Sequence, residues 1–187
     1  MTPRRIGIVA LASAALIGLG GYAAHGAGFY INATNSAPKG LWRVKTITPW
    51  DVERGMLVSI CPPGLRIVEA MRQQGYLQPG SCSGSGTVPL LKPVVAFSGD
   101  TVRITRKGIA VNGQVLPNSQ AQPQMPAYPA GVYEVRPGEV WIVSSYSAGS
   151  FDSRYFGPVS TNNIEGQAKP IAIMGDVTGM TVRGNAR

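Results

Sequence analysis

The sequence predicts a mainly β, antiparallel fold with one short helix, set behind an apolar N-terminal segment. Three observations carry this. The 187 residues include 24 Gly and 15 Pro, a turn-rich composition that suits short strands better than long helices. Apolar residues recur in short alternating or continuous runs, separated by Gly, Pro and Asn turns. Ahead of them all, Ile6 to Ala24 carries no charged residue. The length is that of one domain with room for a small insertion.

Arg4 and Arg5 precede the apolar stretch. They orient it with its N-terminus in the cytoplasm and the remainder across the membrane. The stretch fits either a retained anchor or a secretory signal, and Ala24-His25-Gly26 offers a small-x-small cleavage site for the second. Residues 32–40, Asn-Ala-Thr-Asn-Ser-Ala-Pro-Lys-Gly, read as a shaped loop that fixes one hydroxyl, Ser36, beside Pro38 and Gly40. Leu41 to Lys45 and Met56 to Ile60 read as strands joined by a polar turn around Pro49 and Asp51. Leu65 to Tyr76 predicts a short helix, with Leu65, Val68 and Met71 at helical spacing and Gly75 as its stop.

Val88 to Phe97 is an apolar strand with a single charge, Lys92. After the Ser98-Gly99-Asp100 turn, Thr101 to Leu116 predicts hairpin structure turning at Lys107-Gly108 and Asn112-Gly113. Residues 117–131, rich in Pro, Gln and Ala, predict an exposed loop. Val132 to Val135 and Glu139 to Val143 predict two more strands. Ser144 to Gly157 reads as polar and irregular, Val159 to Ile173 as a last strand pair, and the tail from Val177 as mobile.

Composition also excludes. The net charge is +8, but the basic residues are scattered and no nucleic-acid motif is present, so nucleic acid is not the expected partner. The one His, His25, sits at the edge of the apolar segment, which leaves a Ser-His-Asp triad without a base. One His and two Cys do not make a structural zinc cluster, and no cofactor is expected. An even Cys count beyond a membrane segment favours a Cys61–Cys82 disulfide over two separate buried thiols. Closing that loop stabilises by roughly 3 kcal/mol in the chain-entropy account.

Lys92 needs an explanation. Charged and buried, it would be costly; snorkelling to the surface is the alternative. A free lysine, pKa near 10.4, is neutral in only about one molecule in 2,500 at pH 7, and using it as a base would cost about 4.6 kcal/mol. Burial can lower a lysine pKa to roughly 5–6, and a neutral amine can take the proton of a Ser hydroxyl. A Ser-Lys dyad needs no His.

Three stretches, in order, resemble the boxes of type I signal peptidases. Thr34-Asn-Ser36-Ala-Pro38 is similar to the nucleophile box, and Lys92-Pro-Val-Val-Ala-Phe-Ser-Gly99-Asp100 to the general-base box. Ser150-Phe-Asp152-Ser153-Arg154-Tyr-Phe-Gly157 is similar to the Ser-x-Asp-Ser-Arg-x-x-Gly box. The likeness is closer still to one branch, the TraF-type peptidases of plasmid conjugation systems, across nearly the whole chain. Its features here include Asn32-x-Thr34-x-Ser36-x-Pro38-x-Gly40-Leu41, Cys61-Pro-Pro, Arg72-x-x-Gly75-Tyr76 and Cys82. Two departures stand out. Thr34 replaces the commoner Ser, and Pro93 follows Lys92 where Arg is usual, removing a strand N–H.

The resemblance implies a type I signal peptidase-like β fold with a small inserted β region at about 103–138. It implies Ser36 as nucleophile and Lys92 as general base. The oxyanion hole would be the Ser36 N–H helped by the Thr34 side chain. Ser150 would hydrogen-bond the Lys92 amine, with Asp152 and Arg154 as a supporting pair. The implied activity is processing of conjugative propilin at the periplasmic face of the bacterial inner membrane, with transfer of the acyl group to the subunit's own N-terminal amine to close a circle. Other conjugative transfer proteins are implied partners. Rival readings are a leader peptidase that only hydrolyses and an inert structural component of the transfer apparatus. The implied organisation is 1–26 as anchor or signal, 27–176 as peptidase domain and 177–187 as tail.

Overall fold

The structure is a computed structural model that describes residues 2–177. It opens with α1 (Pro3–Gly26), 24 residues with no buried side chain and with Pro at its first turn. At 1.5 Å per residue the helix is about 36 Å long, enough to cross the hydrocarbon core of a bilayer. Nothing polar marks a second face, so the helix is apolar all round, as a lipid-facing segment is.

The rest of the described residues build two antiparallel sheets and their connections. The strands, in order, are β1 (Phe29–Asn32), β2 (Lys39–Lys45), β3 (Leu57–Ile60), β4 (Leu90–Phe97), β5 (Thr101–Thr105), β6 (Gly108–Val111), β7 (Gln114–Val115), β8 (Gly131–Glu134), β9 (Glu139–Ile142), β10 (Val159–Ser160) and β11 (Ile164–Met174). The larger sheet runs β1-β2-β11-β3-β4-β9-β10 and the smaller β7-β6-β5-β8. Two short helices, α2 (Arg66–Gln73) and α3 (Ser153–Phe156), complete it.

β4 lies inside the larger sheet between β3 and β9, which is why its sequence is an almost unbroken apolar run. Its two faces feed two cores. Val94 joins Val58, Ile60, Val140 and Ile142 with Val68 and Met71 of α2 and Phe151, Tyr155 and Phe156 around α3. Val95 joins Val102, Ile104, Ile109 and Val111 of the smaller sheet, with Trp141 and Val143. Arg54 ties the sheets at their junction. It donates to the Val95 carbonyl (2.7 Å), pairs with Asp100 (2.5 Å) and stacks over Phe97. Asp100 also accepts from the Phe97 N–H and the Asn112 amide, so the Gly99-Asp100 pair is a turn fastening between β4 and β5.

The expected strands at 41–45, 56–60, 88–97 and 139–143 are present, and the Asn112-Gly113 turn takes positive φ at both positions, as a tight hairpin requires. Three expectations are corrected and one strand is added. β10 and β11 are not partners: β10 pairs with β9 at one edge, while β11 crosses to lie between β2 and β3. Residues 117–131 are not simply exposed, because Ala121 and Met125 pack on the main core and Tyr128 on Trp141. Ser144 to Gly157 contains the buried turn α3. β1, unforeseen, pairs with β2 as a hairpin, Phe29 opposite Arg43 and Asn32 opposite Gly40. The tail 178–187 lies outside the described residues.

Candidate active site

Residues 33–38 are the loop of the β1–β2 hairpin, and Asn32 fills it from inside. Its amide nitrogen donates to the carbonyls of Ala37 (3.0 Å), Pro38 (3.1 Å) and Thr34 (3.2 Å). Its amide oxygen accepts from the Thr34 N–H (3.1 Å) and the Thr34 hydroxyl (2.8 Å). A hydroxyl has one proton, so Thr34 Oγ1, 3.0 Å from Ser36 Oγ, is left to accept from Ser36. The loop closes at Gly40, whose φ of 137° and close approach to the Ala172 carbonyl leave no room for a side chain. Among the described residues the Ser36 N–H has no partner, so it is free to donate to a ligand.

Lys92 sits on β4 opposite Val58, and only 2% of it is exposed. Burial pushes its amine down from 10.5 to about 8; the Asp152 carboxylate works against that shift and the Arg154 guanidinium with it. The drop is smaller than burial alone can give, because Asp152 favours the charged amine. No hydrogen bond joins the Lys92 amine to a described residue. Ser36 and Lys92 both line one cleft of about 670 Å³, with Thr34, Ser59, Tyr76, Leu90 and Phe151 among its walls. Pro93, next to Lys92, stands opposite Leu57 on β3.

Ser150, expected to bond the Lys92 amine, is 1% exposed and its hydroxyl has no partner among the described residues. The expected bond to the Lys92 amine is therefore not formed. The expected Asp152–Arg154 pair is present and fully buried. Arg154 Nε and Nη2 meet the two carboxylate oxygens at 2.8 and 3.0 Å. The remaining guanidinium donors go to the carbonyls of Asn118, Gln120, Ala148 and Ser144. Every charge in the pair is thus answered, as burial demands. These bonds also hold the 117–131 segment down.

The Cys61–Cys82 disulfide is formed, with 5.4 Å between Cα atoms. The chain from 61 to 89 leaves β3 and returns to β4 across it, and supplies Tyr76, Leu77, Gln78, Val88 and Pro89 to the cleft. The Tyr76 hydroxyl donates to the Gly149 carbonyl at 2.5 Å, clasping this wall to the segment that carries Ser150. Glu165 lies against the two sulfurs and accepts from Ser59, but sulfurs joined to each other are not thiolate ligands, so the trio is not a metal centre.

A family model described as signal peptidase, peptidase S26, matches residues 5–173. The chain belongs to this signal peptidase family. It is 35% identical over 170 residues to a plasmid transfer protein TraF of Escherichia coli, covering 88% of this chain and 92% of the relative. A second Escherichia coli protein of that description is 38% identical over 169 residues, covering 87% and 93%. A conjugal transfer protein TraF of Agrobacterium tumefaciens (strain 15955) is 34% identical over 175 residues, covering 91% and 92%. Among solved structures, a signal peptidase I from Enterococcus faecalis V583 matches with a TM-score of 0.37 and 15% identity, over 66% of this chain and 98% of that one.

Sequence reading noted Asn32 only as part of the TraF-like motif and did not foresee that it holds the loop, and it missed Ser144 altogether. Ser144 had no signal: its hydroxyl donates to the Ser36 carbonyl at 2.9 Å across a separation of 108 residues.

Proposed function

We propose that this protein is a membrane-anchored serine peptidase whose Ser36–Lys92 dyad processes a conjugative propilin and joins its ends into a circle. The observation that carries the reading is that Ser36 and a nearly dry Lys92, its amine lowered to about 8, open into the same cleft. At pH 7 a far larger share of Lys92 is neutral than of a free lysine, so recruiting the base costs about 1 kcal/mol instead of about 5. α1 would anchor residues 27–176 at the periplasmic face of the inner membrane, within reach of exported subunits and of other transfer proteins.

In the first step Ser36 Oγ attacks the scissile carbonyl and Lys92 takes its proton. The Ser36 N–H stabilises the oxyanion. The Thr34 hydroxyl joins it by turning away from Asn32. Lys92, now an ammonium oriented by Ser150, protonates the departing amine, and an acyl-enzyme remains on Ser36. Attack by the subunit's own N-terminal amine releases a cyclic product, a peptide bond exchanged for a peptide bond. Holding that amine nearby at high effective concentration lets it outrun water.

The test uses the detergent-solubilised full chain, a propilin substrate and mass spectrometry. A product lighter by one water than the linear subunit is expected, and Ser36→Ala and Lys92→Ala are each expected to yield none. A linear product alone would leave a hydrolytic leader peptidase. Processing that survives both substitutions would overturn the dyad.

A further inference from the structure

Asp152 and Arg154 act on Lys92 in opposite directions, one raising its pKa and the other lowering it. A pair that works against itself electrostatically is a poor device for tuning a base, yet it is fully buried and fully bonded. What the pair does hold, without opposition, is Ser144. The Ser144 N–H donates to Asp152 Oδ2 at 3.0 Å, and Arg154 Nη2 donates to the Ser144 carbonyl at 2.9 Å. Both main-chain groups of this residue are therefore gripped by the two halves of one ion pair, and Ser144 is 0% exposed. Its hydroxyl proton then has one destination, the Ser36 carbonyl.

We infer that Ser144 is a positioning residue for the nucleophile, and that Asp152 and Arg154 act on Ser36 through it; the inference rests on Ser36 being the nucleophile. The physical argument is one of leverage. The Ser36–Ala37 peptide follows directly from the nucleophile, and Ala37 is itself 0% exposed. Fixing the Ser36 carbonyl fixes ψ at Ser36. With Asn32 holding the preceding residues, the Cα–Cβ bond and the Ser36 N–H then have one orientation. That places Oγ and the oxyanion donor together, where a misplacement of about 1 Å costs about a hundredfold in rate. Ser144 also accepts from the Tyr146 N–H at 3.3 Å, which leaves its own proton committed to Ser36.

The test compares Ser144→Ala and Ser144→Cys in the detergent-solubilised full chain; Cys fills the space of Ser but donates weakly. Both are expected to lower kcat at least about tenfold with KM within about twofold of wild type. Both should leave the midpoint of the acid limb of the pH profile where wild type has it. Asp152→Asn, in contrast, is expected to move that limb to lower pH, because it removes the carboxylate that raises the Lys92 pKa. In the Asp152→Asn background, Ser144→Ala is expected to cost no more than about threefold further. Should Ser144→Ala fail to fold, the Cys variant decides. A Ser144→Cys enzyme within about twofold of the wild-type kcat, or Ser144 and Asp152 losses that simply multiply, overturns the inference. Ser36→Ala runs beside them: activity that persists there overturns the dyad instead, whatever Ser144 does.

Discussion

Replacing Lys92 by Met is expected to make the protein more stable at pH 7 while abolishing its activity. The buried amine is lowered from 10.5 to about 8, so the folded chain carries a charge it disfavours. At about 1.4 kcal/mol per pH unit, the drop corresponds to about 3 kcal/mol. The pH dependence gives the sign. Below about pH 8 folded and unfolded chains both hold the proton, and the folded chain bears the whole penalty. Between about 8 and 10.5 the unfolded chain holds the extra proton, so wild-type stability rises with pH. Above that both are neutral and the penalty has gone. Methionine matches the lysine stem in volume and has no charge to desolvate. Urea unfolding of both proteins in detergent should find the Met variant more stable by about 3 kcal/mol at pH 7, narrowing to about 1 kcal/mol near pH 10. A variant no more stable than wild type at pH 7, or a gap that ignores pH, would refute the claim that Lys92 sits charged in a dry site.

Three further outcomes follow from the same geometry. The acid limb of the kcat/KM profile should have its midpoint at about 8, with activity rising as Lys92 loses its proton; a limb near the ordinary lysine pKa would deny the desolvation. Asn32→Ala should lower kcat about ten- to a hundredfold, since it strips the Ser36 loop of its inner bonds at about 1–3 kcal/mol for polar groups left unpaired. Steady-state kinetics beside a melting curve separates that loss from unfolding. Converting Cys61 and Cys82 together to Ser should cost roughly 3 kcal/mol of stability and raise KM as the cleft wall loosens, read from unfolding midpoints and from substrate titration.

What could be read in the chain was local. Lys92 stood out because a single charge in an apolar strand is chemically awkward, and Asn112-Gly113 because its turn type demands those residues. The cysteine pairing followed from number and compartment. The pairing of β10 with β9, and of β11 with β2 and β3, was not legible, since strand partners are chosen by the sheet and not by neighbours in the chain. The Pro- and Gln-rich 117–131 segment looked solvated because its anchor, Arg154, lies far along the chain. Ser144 was invisible for the same reason: a serine after a strand carries no mark of what its hydroxyl meets. The Ser150–Lys92 bond was expected from the resemblance, and the structure does not form it.

The excursion from residue 61 to 89 departs from β3 and rejoins β4 where Ile60 stands opposite Leu90, already in register. The two strands would meet correctly whether the connection between them were long or short. The excursion therefore behaves as a cartridge seated in a fixed receiver. Val68, Met71 and Leu77 must stay to fill the core beside β4, but its exposed positions can change, and with them the face of the cleft, without shifting Lys92 from its place opposite Val58. The hairpin that carries Ser36 lies on another part of the sheet and is equally unaffected. Evolution, or an engineer, is thus free to retarget the enzyme at one site while its chemistry stays untouched at another.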